Sequence, residues 1–113
     1  MTLTASSMVK LTEVAGVIRS KNSGPYELTL DIIFKTDEFL QQAVAGGSFT
    51  KEMVSRLYNV PLKDVQSVVA YPPAKAIKMT IKRARPSGSL GETDVYGAQQ
   101  HAPLLGLEIK MAK

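Results

Sequence analysis

"ELTLDIIF", residues 27–34, decides how this chain is built. Leu28, Leu30, Ile32 and Phe34 alternate with Glu27, Thr29, Asp31 and Ile33. A period of two puts the first set on one face, as in a strand with one side against a core. Ile33 predicts cover on both sides at the far end of that strand.

Downstream, "KTDEFLQQAVAGG" predicts a short helix over 37–45. Thr36 or Asp37 caps it, Phe39, Leu40, Ala43 and Val44 form its apolar side, and Gly46 and Gly47 end it. Thr50 starts another helix, with Met53, Val54 and Leu57 inward. Asn59 suits a left-handed stop, with Pro61 shortly after. "VQSVVAYPPAKAIKMTIKR" then offers a strand from about Gln66 to Tyr71 and a second in which Ile77, Met79 and Ile81 alternate with Lys78, Thr80 and Lys82. Pro72 and Pro73 cannot donate to a ladder and belong to the connection. So short a connection predicts an antiparallel hairpin. "LLGLEIKM" predicts the last strand, with Leu105, Leu107, Ile109 and Met111 on one face.

Upstream, Leu11, Val14 and Ile18 recur at helical spacing, so a helix is expected there, with Thr12 as cap and Arg19 and Lys21 near its end. Asn22, Ser23, Gly24 and Pro25 would stop it, and residues 1–8 are expected to fray. The order predicts an α+β chain. We expect a two-layer sandwich, with helices on one face of a mixed or mainly antiparallel four-stranded sheet. Residues 9–113 would form a single domain containing a long loop at 84–103.

The totals bound the function. A chain of 113 residues, 44% hydrophobic and 21% charged, is ordinary for one globular domain. There is no cysteine and one histidine, so no thiolate chemistry and no conventional zinc site are expected. No phosphate-loop or dinucleotide motif occurs, and no cofactor is expected. No basic start leads into an apolar run and no apolar stretch is long enough to span a bilayer. A soluble cytoplasmic protein without membrane contact is the expectation. The net charge of +4 is mostly interleaved with acids; only Lys78, Lys82, Arg83 and Arg85 cluster, without the aromatics of a stacking platform. Nucleic acid is therefore not the expected partner.

Two polar stretches are the candidate sites. In "GETDVYGAQQHAP", residues 91–103, Asp94, Tyr96, Gln99, Gln100 and His101 bring acid–base and amide groups together. Histidine suits proton transfer at neutral pH, with Asp94 or Tyr96 assisting. The same residues also have ordinary loop roles as turn formers and backbone partners. In "RSKNSGP", residues 19–25, Arg19, Ser20, Lys21 and Asn22 read either as a basic helix end or as a turn that binds a carboxylate or phosphate.

The stretches "IRSKNSGPYELTLDIIF", "LYNVP" and "RPSGSLGETDVYGAQQHAPLL" resemble a family of small proteins known only as a domain of unknown function. That family is found beside or fused to acyclic terpene utilisation (AtuA-type) proteins, and the likeness runs from about residue 9 to 111. Arg19, Ser20, Lys21, Asn22, Gly24, Pro25, Asp94, Tyr96, Gln99, Gln100 and His101 match its pattern. The resemblance implies a small accessory subunit that completes or caps a site on a larger partner acting on branched or unsaturated acids or their coenzyme A thioesters. It carries over no catalytic residue. Two other expectations remain open beside it: an independent small lyase, hydratase or isomerase using His101, and a homo-oligomer that binds an anionic metabolite such as a carboxylate or acyl-CoA.

Overall fold

The computed structural model describes residues 6–24, 26–82 and 101–112. Its elements run β1 (Ser6–Lys10), α1 (Leu11–Val14), β2 (Ala15–Gly24), β3 (Glu27–Phe34), α2 (Asp37–Gly46), α3 (Lys51–Tyr58), β4 (Val65–Tyr71), β5 (Ala76–Lys82), α4 (Ala102–Leu105) and β6 (Glu108–Ala112). Four strands form an antiparallel sheet in the order β2-β3-β5-β4, and β1 pairs antiparallel with β6 in a second, two-stranded sheet. The architecture is α+β.

β3 is the strand its alternation predicts. Leu28, Leu30, Ile32 and Phe34 are all buried, and Leu28, Leu30 and Ile32 lie opposite Ile81, Met79 and Ile77 of β5. The β4–β5 hairpin is also as expected, closed by a single 3-10 turn over Pro72–Ala74. Lys75 caps that turn in a left-handed conformation, and its carbonyl accepts from the Phe34 amide at 2.7 Å.

The two longer helices follow their caps. Thr36 Oγ1 accepts from the Phe39 amide and Thr50 Oγ1 from the Met53 amide, each at 3.0 Å. Each bond satisfies an amide with no partner inside the helix. Gly47 (φ 78°) and Asn59 (φ 54°) are the left-handed stops. α2 lies so close to β6 that a Cβ on Gly46 would collide with the Lys110 carbonyl. Ser48 Oγ, just beyond α2, accepts from the Lys110 amide at 2.9 Å.

The expected first helix is largely a strand. Only Leu11–Val14 make one helical turn, after which the chain extends for ten residues as β2. The reason is local. Gly16, Val17 and Ile18 are poor helix formers, and the β-branched pair suits a pleated surface. Gly16 is the extra residue of a bulge between the pairs Ala15↔Phe34 and Val17↔Ile33. The bulge lets Ala15 and then Ile18 turn inward, so the apolar spacing imitates a helix.

The termini differ too. β1 begins at Ser6, within the segment expected to fray, because β6 supplies its ladder from Ser6↔Ala112 to Lys10↔Glu108. The last strand starts at Glu108 rather than at Leu104, and it pairs with β1 instead of entering the larger sheet. Pro103 favours a helical first turn, so Leu104 and Leu105 wind into α4. Leu104 is then buried and Leu105 exposed, while Ile109 and Met111 are buried as predicted. β2, and not the last strand, is the fourth member of the larger sheet.

One apolar cluster joins the inner face of the large sheet to α1, α2, α3, α4 and β6. Val14, Leu40, Ala43, Val54, Leu104 and Ile109 supply these elements' share. Tyr58 packs at its margin, where burial pushes the phenol above its ordinary value and keeps it protonated.

Candidate functional site

The sheet's register places a row of charge on its other face. Arg19 of β2 lies opposite Asp31 of β3, and Asp31 lies opposite Lys78 of β5. Residues directly opposite one another in antiparallel strands share a face. The next row on that face is Lys21, Thr29, Thr80 and Ser67. The four-stranded sheet is thus apolar on one side, and its other side carries this basic and hydroxyl-bearing patch beside Val17, Ile33, Val69, Tyr71 and Ala76.

Asp31 is the unusual member. It is buried (4% exposed) on a face whose charged neighbours are exposed. Arg19 Nε donates to its Oδ2 at 3.2 Å, from a side chain that is 60% exposed. Oδ1 is buried with no hydrogen-bond partner. Arg19 therefore grips one oxygen only, through Nε, and its two terminal nitrogens have no partner among the described residues. Lys78 leaves Asp31 alone as well: its Nζ sits 5.5 Å from the centre of the Tyr71 ring, a cation–π contact. An unsatisfied buried carboxylate oxygen costs about 1–3 kcal/mol or more. Folding stability does not account for this arrangement.

The residues singled out from the sequence are not all brought together. Arg19, Ser20, Lys21 and Asn22 form no turn at a helix end; they are consecutive residues of β2, and strand alternation divides them. Arg19 and Lys21 join the basic face. Ser20 and Asn22 lie opposite Leu30 and Leu28 on the apolar side, and Ser20 is buried. His101 is the cap residue of α4, and its carbonyl accepts from the Leu104 amide at 2.8 Å. Its ring Nδ1 is buried and makes no hydrogen bond. Asp94, Tyr96, Gln99 and Gln100 lie outside the described residues, as do Arg83 and Arg85 of the basic cluster.

Asp31 and Tyr71 were not among the residues singled out, and Lys78 stood out only as part of a basic cluster. A signal for Asp31 existed: an acid in the middle of "LTLDIIF", on the polar side of the strand with the clearest apolar face. Only pairing with β2 gives it Arg19.

A second feature is the sheet edge formed by β4. Val65–Tyr71 contains no charged residue, and Val69 and Tyr71 are about half exposed. Beside it, α2 and the end of β4 enclose an open cleft of about 650 Å³, lined chiefly by Leu40, Val44, Ala70, Pro72 and Pro73. Asp37 and Gln41 supply its polar wall.

A family model described as a domain of unknown function, DUF4387, matches residues 11–108. The chain belongs to the DUF4387 family. That span of the DUF4387 domain takes in β2, β3, β4 and β5, and with them the Arg19–Asp31–Lys78 row and the β4 edge. No curated protein and no solved structure matches the chain. Among the described residues, no helix is long and apolar enough to cross a membrane.

Proposed function

We propose that this DUF4387 chain is a small accessory subunit or domain that docks on a larger AtuA-type protein and completes or caps a site there. The substrates of that site would be branched or unsaturated acids or their coenzyme A thioesters. The observation that carries the docking half is the uncharged β4 edge beside an apolar cleft. An open edge presents unpaired amide and carbonyl groups, and soluble proteins usually guard such edges with charge, proline or bulges. Here a partner's strand or loop can add to the ladder while its apolar side chains enter the cleft. The layered reading of the fold, with helices on one face only, belongs to the same proposal, because it leaves the basic face turned toward the partner's site.

Co-expression of the full chain with an AtuA-type protein, followed by size-exclusion chromatography, tests the docking. Co-elution is expected, and Val69→Lys should abolish it without unfolding the chain. Strictly independent elution of the wild-type pair overturns the reading. Elution of the chain alone as a dimer that Val69→Lys dissociates would replace the larger partner with a second copy.

The reading as an independent small enzyme rests on a different observation, the buried Nδ1 of His101 without a hydrogen bond. In that case His101→Ala lowers turnover of an acid or thioester substrate by about 10²–10⁴-fold with the fold intact. Unchanged turnover removes histidine catalysis.

A further inference from the structure

We infer that the basic face of the sheet is itself a binding site for a small dianionic metabolite, with Arg19 as the anchor and Asp31 as its positioning residue. This goes beyond the docking reading: it concerns the chain alone, and either can fail without the other.

Asp31 engages Arg19 at a single point. Arginine–carboxylate pairs frequently form a two-point contact, with two parallel N–H···O bonds. Here only Nε and Oδ2 meet, at 3.2 Å. One carboxylate oxygen is left buried and unpartnered, and the terminal guanidinium nitrogens are left free of partners among the described residues. Fixing an arginine through Nε holds the plane of its guanidinium while the terminal pair stays available. That pair is the fork that recognises a carboxylate or phosphate through two hydrogen bonds.

The surroundings fit an anion rather than a cation. On the same face, Lys21 lies two residues from Arg19 on β2, and Lys78 lies opposite Asp31 on β5. Both lysines are exposed. Three cations thus face one carboxylate, leaving about two positive charges uncompensated. Further along, Lys82 lies opposite Glu27, which offsets it. Between the two basic strands, Thr29 and Thr80 lie opposite each other and half-buried, in line with Lys21. Their hydroxyls can donate to a second oxyanion group. β2 and β5 are separated by one strand, so their backbones are roughly 10 Å apart at the usual inter-strand spacing. Arg19 and Lys21 flank this space from β2, and Lys78 on β5, whose Nζ rests over the Tyr71 ring, would swing across to close on a ligand of a few carbon atoms. The shared chemistry is two negative charges on one small molecule, a dicarboxylate or a phosphate monoester. The aromatic platform that a nucleic-acid strand would use is limited to Tyr71 among the described residues of this face.

Calorimetric titration of the full chain at fixed ionic strength tests this, using succinate, phenyl phosphate and, as a singly charged control, acetate. Saturable binding of succinate or phenyl phosphate is expected, with acetate at least tenfold weaker; the tighter of the two dianions identifies the source. Arg19→Lys keeps the charge and loses the fork, and should weaken the dianion by tenfold or more. Asp31→Asn should weaken it several-fold, while the double variant binds no worse than Arg19→Lys alone, because Asp31 acts only through Arg19. Lys63→Gln, a charge removed outside this face, should change nothing. Thermal melting of each unliganded variant confirms that it is folded. The inference is overturned if the wild-type chain binds neither dianion, if Arg19→Lys binds like wild type, or if Lys63→Gln loses as much as Arg19→Lys. It also falls if only a long polyanion binds, with a steep salt dependence.

Discussion

The two edges of the large sheet are built differently. β2 carries Arg19 and Lys21 along its length and is broken by register shifts at both ends, between Ala15 and Val17 and between Asn22 and Gly24. β4 is uncharged, and its single register shift, between Val65 and Ser67, leaves a regular run from Ser67 to Tyr71. Charge and bulges on an edge prevent strand addition. The difference teaches that, among the described residues, one edge of this sheet is guarded along its length by charge and the other is not, and we infer a second task for that charge through Arg19.

The largest effect is expected where the wall of the β4 cleft is fixed. Gly46 lets α2 approach the β6 backbone, so Gly46→Ala should cost about 3 kcal/mol, read as a fall in the denaturant midpoint. Retained stability would show that α2 can shift away from β6, and the cleft with it. Next comes Val69→Lys, which should weaken the proposed docking by at least tenfold, or about 1.4 kcal/mol, while the melting temperature barely changes because Val69 is half exposed. Undiminished docking would move the interface elsewhere.

The converse experiment strips the guard from the other edge. Arg19→Val with Lys21→Val should make the chain self-associate at concentrations where the wild type does not, as light scattering would reveal. A double variant that stays as dispersed as wild type would assign the protection of that edge to its bulges alone. The smallest effect is at Asp31. Asp31→Val removes a buried, half-satisfied carboxylate and leaves Arg19 in solvent. Because Arg19 is mostly in solvent, no buried charge is stranded and the cost of the unpartnered oxygen is removed, so a gain of about 1 kcal/mol is expected, seen as a rise of a few degrees in melting temperature. A marked loss of stability would mean that the carboxylate holds the sheet together rather than holding Arg19 ready.

Legibility followed the range of the interactions. The caps Thr36 and Thr50, the stops Gly47 and Asn59, and the alternation in β3 and β5 all act within a few residues, and each forms as the sequence predicts. The segment from Leu11 to Gly24 misled because apolar spacing of three and four also results when a helical turn runs into a bulged strand. Gly16 was the available warning. Leu104 and Leu105 misled for a related reason, since alternation cannot separate a buried and an exposed leucine in one turn from two in a strand. Of the candidate site, Arg19 and Lys21 were legible as polar residues in a distinctive run, but their partner was not. Asp31 lies twelve residues away, and only the β2–β3 register brings it to Arg19.

Taken alone, the amino-acid order determined which segments are amphipathic, where the two longer helices begin and end, and that the chain is α+β. Tertiary structure decided that residues 15–24 extend as an edge strand, that the last strand pairs with the first, and that Ser20 and Asn22 face away from Arg19 and Lys21. The physical reason is that a strand's partners, and therefore the face on which each side chain lies, depend on hydrogen bonds closed by distant segments, whereas a cap or a turn closes on itself.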